Sequence, residues 1–400
     1  MTLADFDLNT IDAGFLADPY PTLAALRRER PLHRNPDGTV LLTRYEDCRA
    51  VYRSRAMLSD KTEQMQAKFG DCPLKTHHTT SLVFNDPPYH TVVRKLLAAA
   101  FTPRNLAALE PVVEVIVARL LGRCEDMGRF DLVDDFAKIL PTEIISSMLG
   151  IPEDIRPRLR GYSLAILGAL DPIVPPDRIA AGNAAVTEFS EILADLIAHR
   201  RAHPGEGGAG EVLDALIFGE VDGRRLTDEE LVQNCIFLLN AGHETTTSLV
   251  SNAVGSLLEN PLELARLRAD PGLIGPAVEE GLRTESPLQI GNRLAGEDIE
   301  VTGGTIPKGT YIHLSIAGAN RDPAVFDRPE VFDITRDPNP HLAFITGIHV
   351  CLGASLSRIE GQIAVGGLVN RFPALAADGP PERLPLARFR GYRSMPVRVR

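Results

Sequence analysis

The chain has 400 residues, 44% of them hydrophobic, and a formal net charge of -11. That is ample material for a large core, in two or three domains or one large one, and the acidic balance argues against phosphate backbones as primary partners. No run of about 18 apolar residues exists to span a bilayer, and "MTLADFDLNTIDAGF" lacks the basic and apolar regions of a signal peptide, so the cytoplasm is the expected compartment.

Helical signals dominate the first 280 residues. "DPYPTLAALRRERP" reads as a helix started by Pro19 or Pro21 and stopped before Pro31, and "GTVLLTRYEDCRAVYRS" as a short hairpin followed by a helix. From Leu58 to Asn85 no clean period appears, which predicts a long irregular loop; the pair His77–His78 is expected on its surface, with no third metal ligand nearby. Helical patterns resume through "HTVVRKLLAAAF", "LAALEPVVEVIVARLLGRCED" and "DLVDDFAKILPTEIISSMLG". A break at "ALDPIVPPDR" precedes "AAGNAAVTEFSEILADLIAHRRAH", and "PGEGGAGE" reads as a flexible surface connection. The longest signal runs from Asp228 to about Glu259, opened by a capping box of Thr227 and Glu230 and closed by Pro261. At ~1.5 Å per residue it would extend roughly 48 Å. From Ile299 the pattern turns to short strands, "IEVTGGTIPKGTYIHLS" and, at the end, "FRGYRSMPVRVR". The expected architecture is one mainly α domain over residues 1–400 with a small β portion, at about 31–45, 288–316 and 384–400.

The five cysteines, Cys48, Cys72, Cys124, Cys235 and Cys351, are odd in number and form no C-x-x-C pair, so a disulfide framework or Cys-rich zinc site is not indicated. Cys351 differs by context. In "FITGIHVCLG" it is bracketed by Gly347 and Gly353 just ahead of a helical pattern, where free N–H groups and the helix dipole favour a thiolate. His349 lies two residues away, an offset poorly suited to a Cys-His nucleophilic pair. A lone thiolate held by backbone better fits a single axial ligand on haem iron.

Within the long helix, "AGHETTTS" places Glu244, Thr245, Thr246 and Thr247 where burial is expected. They read either as hydroxyls bonded back to carbonyls or as a proton relay. Glu280 and Arg283 sit three apart on one helical face, a pairing that on a surface is worth only ~0–1 kcal/mol. His90 and Arg94, four apart at a helix start, can reach one anionic group, and Arg293 follows the break at Pro287.

Taken together these stretches resemble the bacterial, soluble class of cytochrome P450 monooxygenases. "FITGIHVCLGASLSR" is similar to the family's haem-binding signature, "AGHETT" to its oxygen-activation motif, "EGLR" to its E-x-x-R, "DPPYHTVVRKLL" to its haem-propionate helix, and "ANRDPAVFDRPEVFD" to the segment before the haem loop. The likeness runs from residue 18 to the last strand. It implies a triangular helical prism with haem b between the long helix and the helix after Cys351. It further implies Cys351 as the proximal thiolate, Phe344 beside the sulfur, Gly353 in the loop and Ala241 leaving room over the haem face. His90, Arg94, Arg293 and His349 would hold the propionates, Glu280 and Arg283 with Arg321 the core beneath the haem, and Thr245 with Glu244 the distal protons. One departure stands out: the family usually has glycine after the signature phenylalanine, where this chain has Ile345, so a different local path is expected there.

The implied reaction inserts one atom of O2 into a hydrophobic molecule such as a terpenoid, steroid, fatty acid or polyketide, a diterpenoid acid being one example. With no Gly-rich dinucleotide fingerprint and no cysteine cluster in the chain, electrons are expected from a separate ferredoxin and ferredoxin reductase. Arg358 is either a docking or a structural residue. The family implies a monomer. Its pocket is expected from Leu82, Val83 and Phe84, a lid at Leu164–Val174, then Phe237, Leu238, Leu288, Gln289 and Ile290, and Tyr392, Arg393 and Ser394, with Gln289 or Arg393 meeting a polar group on the substrate. A peroxide-driven enzyme or a haem sensor would have less use for the Glu244–Thr245 pair, and a cysteine hydrolase would bind no haem.

Overall fold

The computed structural model describes Leu3, residues 6–206 and residues 212–400, apart from the side chain of Ala100. The Gly-rich end of "PGEGGAGE" lies outside the described residues. The long helix, Asp228–Glu259, is the axis of the molecule. Thr227 caps it by accepting the Glu230 N–H while the Glu230 carboxylate accepts the Thr227 N–H, as the capping box predicts. Its apolar residues run around most of its circumference and are buried on nearly all sides, the expected state of a helix with no polar face. Against it pack Ile139–Leu149, Arg156–Gly168, Pro176–Ala202, Ile274–Thr284 and Ala354–Arg371. The helix after the cysteine loop and the long helix thus lie against each other, with Cys351 at the head of the former.

The β portion is a five-stranded sheet in the order Leu32–Arg34, Val40–Leu42, Tyr311–Ser315, Ile290–Ala295, Met57–Leu58. Ile290–Ala295 runs antiparallel to Tyr311–Ser315, with Arg293 opposite Ile312. A second sheet joins Arg129–Asp131, Pro396–Arg398 and Ala376–Ala377. Met57–Leu58, Arg129–Asp131 and Ala376–Ala377 fall outside the expected β portions. Two or three residues carry no readable period, and only their partners make them strands.

The segment Leu58–Asn85 is not an irregular loop. It holds helices Thr62–Phe69 and Pro73–Thr80 and a 3-10 turn, Leu82–Phe84. Its inward face mixes Met65, Leu74 and Leu82 with the polar Ser59, Lys61, His77, His78 and Ser81, which hides the amphipathic period. His77 and His78 are both buried; His77 Nδ1 lies 3.0 Å from Gln233 Oε1 and the Leu82 N–H donates to Asn234 Oδ1 at 2.9 Å, both on the long helix. The histidines are therefore interior, and among the described residues no third metal ligand stands beside them.

Candidate active site

A cavity of about 320 Å3 opens between the long helix and the Cys351 loop. On its proximal wall Phe344, Ile345, His349, Cys351 and Gly353 come together. The loop is tied by the Cys351 N–H to the Phe344 carbonyl at 3.0 Å and the Val350 N–H to the Gly347 carbonyl at 3.1 Å. Gly347 has φ 81, and a Cβ there would lie 2.2 Å from the Tyr52 carbonyl oxygen, so only glycine fits. Ile345 has φ 49, a left-handed conformation that a β-branched residue rarely adopts. The loop takes a glycine-like backbone at this position and Ile345 bears the strain, its side chain half-buried against the hydrophobic cluster around the five-stranded sheet. Cys351 precedes Ala354–Arg371, as expected. Burial nevertheless raises the pKa of its thiol, opposed by the Gly353 N–H, Arg94 and Arg358. The helix terminus does not create the thiolate unaided; a bound metal cation would, since a coordinating thiol is deprotonated outright. Arg358 donates to Glu279 at 2.7 and 2.9 Å and covers the Phe344 ring at 4.6 Å, a structural engagement.

At one side of the cavity the His90 and His349 rings lie 4.2 Å apart. His349 Nε2 is 2.9 Å from Ser59 Oγ, while burial holds both imidazoles below their ordinary pKa, His90 at about 4. Arg94 donates to the Val350 carbonyl at 2.7 Å. Arg293 donates to the Asn292 carbonyl at 2.7 Å and lies over the Tyr52 ring. Two polar atoms here are buried without a partner, His90 Nε2 and Arg293 Nη2. Orphaned donors beside two guanidinium groups are the chemistry that receives a pair of carboxylates, so the residues present fit the propionates of a haem whose iron Cys351 would bind.

On the opposite wall the long helix presents Ala241, Gly242, Thr245 and Thr246. The Thr245 hydroxyl donates to the Ala241 carbonyl and that of Thr247 to the His243 carbonyl at 2.9 Å, so the back-bonded reading holds in this state. Glu244 does not line the cavity. It is buried, 3.8 Å from Arg160 Nε, with neither carboxylate oxygen hydrogen-bonded. Burial pushes its carboxyl up to about 7 against the pull of Arg160. Behind Arg160 an open surface pocket is lined by Arg119, Lys138 and Glu143.

The side walls take Leu82, Val83, Phe84, Phe237, Leu238, Leu288 and Ile290, with Ile166, Leu167 and Leu170 from the expected lid. Gln289 does not join them. Alternation along an extended segment turns it the other way, where its amide donates to the Ser286 carbonyl at 2.7 Å beside Phe15 and Arg390. Arg393 is exposed and 3.7 Å from Glu382. Tyr392 packs under Arg383 and the Ser394 hydroxyl donates to Asp131. None of these three reaches the cavity; the residues ahead of the strand, Arg388 and Phe389, do, with Phe389 bridged to Leu288. Lys61, His78 and Asn240 also line it. Nothing local in the sequence distinguishes these three, because their position is set by packing of distant segments.

Glu280 and Arg283 are fully buried and bonded twice, at 2.8 Å each, unlike the surface pair their spacing alone suggests. Arg283 also donates to the carbonyls of Asn320, Pro329 and Val331. The third member is Arg336, 3.2 Å from both Glu280 oxygens. Arg321 instead pairs with Glu330 at 2.6 Å and stacks 3.7 Å over Tyr20, which corrects its expected place beneath the haem.

A buried helix carrying Thr245, facing a glycine-bracketed cysteine across a cavity edged with orphaned donors, defines a haem-thiolate enzyme. The family model described as "Cytochrome P450" matches residues 32–271 and 273–388, and the chain belongs to the cytochrome P450 family of monooxygenases. It is 36% identical over 405 residues to the "Biotin biosynthesis cytochrome P450" of Bacillus subtilis, covering 99% of each chain. It is 39% identical to "Cytochrome P450 monooxygenase PikC" of Streptomyces venezuelae, covering 98% of this chain and 94% of that one. The crystal structure of P450BioI in complex with hexadec-9Z-enoic acid ligated acyl carrier protein superposes with a TM-score of 0.91 at 35% identity, covering 97% of this chain and 100% of that one.

Proposed function

We propose that this cytochrome P450 hydroxylates or otherwise oxygenates a medium-sized hydrophobic molecule of fatty-acid, terpenoid, steroid or polyketide type, in the cytoplasm, with electrons from a separate ferredoxin and its reductase. The observation that carries the reading is the cavity itself: apolar side walls between Thr245 on one face and Cys351 on the other. Related proteins of similar length carry the names "Vitamin D(3) 25-hydroxylase" and "6-deoxyerythronolide B hydroxylase", which supports a bulky apolar substrate. The G-x-G-x-x-G match at residues 205–210 follows the helix Pro176–Ala202 and not the strand a dinucleotide fingerprint requires, and the cysteines form no cluster, which supports external electron carriers.

In this reading Cys351 would hold the iron and His90, Arg94, Arg293 and His349 would hold the propionates. Haem with a thiolate ligand supplies the electron push that favours O–O cleavage. The residues of the chain govern protons and water. Thr245 presents a hydroxyl to the cavity, and a small rotation of its side chain exchanges the Ala241 carbonyl for a ligand. Glu244, poised near neutrality beside Arg160, takes a proton from the surface pocket and passes it toward the Thr245 face, so that the apolar chamber is never flooded.

The test is the visible spectrum of the protein reduced with dithionite and exposed to carbon monoxide. A strongly red-shifted Soret band, absent in Cys351→Ala, is expected. Failure to bind haem on reconstitution would remove the assignment of Cys351.

A further inference from the structure

The charges on the cavity wall do not balance. Its charged residues are Lys61, Arg94, Arg293, Arg388 and Glu360, and burial pushes the Glu360 carboxyl up to about 8, leaving it mostly neutral. Two propionates match Arg94 and Arg293. Lys61 and Arg388 remain. Both are buried. Burial, with Arg293 and Arg388 beside it, lowers the Lys61 ammonium to about 7 against the pull of Asp86 and Asp60, so Arg388 is the lasting cation here, and the acid acting on it, Asp171, stands outside the cavity.

Arg388 is held in place by backbone carbonyls. Its Nε donates to the Leu170 carbonyl at 2.7 Å and its Nη1 to the Ile290 carbonyl at 2.9 Å. These bonds fix the planar fork; with the Tyr311 hydroxyl also engaging Arg388, N–H groups still remain of the five a guanidinium carries. Asp171, whose charge acts on Arg388, makes its hydrogen bonds to backbone: it accepts the N–H groups of Arg388 at 3.0 Å and Ala387 at 3.3 Å and lies 3.6 Å from Arg178. Near Lys61, Asp86 accepts the Ser59 and Asp60 N–H groups, and Asp60 accepts the N–H and the hydroxyl of Thr62; the Lys61 ammonium donates to the Ser59 carbonyl. Neither Asp171 nor Asp86 lines the cavity. A second kind of observation points the same way. His78 is 2% exposed, lines the same cavity, and has no hydrogen-bond partner on either ring nitrogen. Its field is shared with Lys61 and Arg388.

We propose that Arg388, supported by Lys61 and His78, is a carboxylate-binding site within the cavity, so that the substrate is an amphipathic acid: an anionic end on Arg388 and an apolar body along Phe84, Phe237, Leu238 and Phe389. This deepens the haem-thiolate reading and rests on it. A neutral ester, or a thioester carried on a protein, lacks the charge this site accepts. The site selects which end of the molecule is anchored, and hence which carbon the haem face meets.

The probes are ω-imidazolyl alkanoic acids of graded chain length and their parent alkylimidazoles. Both ligate iron through the imidazole and red-shift the Soret band, so binding is read without knowing the natural substrate. At the chain length that spans the cavity the acid is expected to bind at least about tenfold more tightly than its parent, the scale of a charge-assisted hydrogen bond. Arg388→Met should bring that ratio close to one, Arg388→Lys should keep part of it, and Lys61→Met should lower it. Equal affinity of acid and parent at every chain length in the wild-type protein, or a ratio untouched by Arg388→Met, overturns the proposal. The carbon-monoxide band recorded on each sample separates the two levels: its absence from the wild type refutes the haem-thiolate reading, whereas its presence without acid preference refutes only the carboxylate site.

Discussion

Glu280 is the carboxylate on which the cluster under the cavity depends, and Glu280→Leu is the sharpest test of that arrangement. Glu280 accepts hydrogen bonds from Arg283, Arg336, Asn339 and the Asp333 N–H. Its removal leaves the Arg283 guanidinium, fully buried, and that of Arg336, nearly so, without a counter-charge. Breaking a buried pair from one side costs about 3–5 kcal/mol. For a chain of 400 residues the unfolding entropy near the midpoint is about 0.8 kcal/mol per kelvin, from ~2.1 cal/mol/K per residue. The expected fall in melting temperature is therefore about 4–6 °C. The control is Glu46→Leu, which removes the exposed 2.9 Å pair with Arg49; at no more than ~1 kcal/mol it should move the midpoint by about 1 °C. Scanning calorimetry of the haem-loaded proteins at one scan rate measures both. A Glu280→Leu shift no larger than that of Glu46→Leu would refute the claim that the cluster bears the load assigned to it.

Thr245→Val removes the hydroxyl facing the cavity while keeping shape; product formed per electron pair consumed should fall roughly 100-fold, the scale of lost proton transfer, with the carbon-monoxide band intact. At position 345 the usual order of alanine and glycine should invert: Ile345→Ala and Ile345→Gly lose the same packing, but only glycine relieves the left-handed backbone, so the Gly variant should be more stable by about 1 kcal/mol in thermal melts. An Ala variant as stable as the Gly variant would contradict the observed φ. Glu360 is buried and its folded pKa is raised to about 8. A raised carboxyl contributes stability that is fully present below its unfolded pKa and is lost as pH rises through the folded value. Glu360→Gln should accordingly melt above the wild type at pH 9 and close to it at pH 4, with melting temperature against pH as the readout.

How much of this was legible beforehand varies with the range of the interaction. The long helix could be read because Thr227, Glu230 and Pro261 are local signals, and the cysteine loop because glycines bracketing a thiol before a helix leave few alternatives. The helices within Leu58–Asn85 could not, since His77 and His78 take apolar-like positions only by virtue of Gln233 and Asn234 on a distant helix. Arg336 rather than Arg321 beside Glu280, and Arg388 rather than Arg393 in the cavity, were equally out of reach: in each pair the two arginines look alike in sequence, and only the folded path decides which is turned inward.

The sequence by itself determined the class of chemistry, because a haem-thiolate site is written in a few residues whose spacing the backbone makes nearly rigid: Cys351 with its glycines, and Thr245 beside Glu244 on one helical turn. The tertiary structure alone decided the lining of the cavity and which basic side chains reach it. Those properties arise where strands and helix ends from separated parts of the chain meet, and side-chain direction at such junctions follows from packing and not from neighbours in sequence.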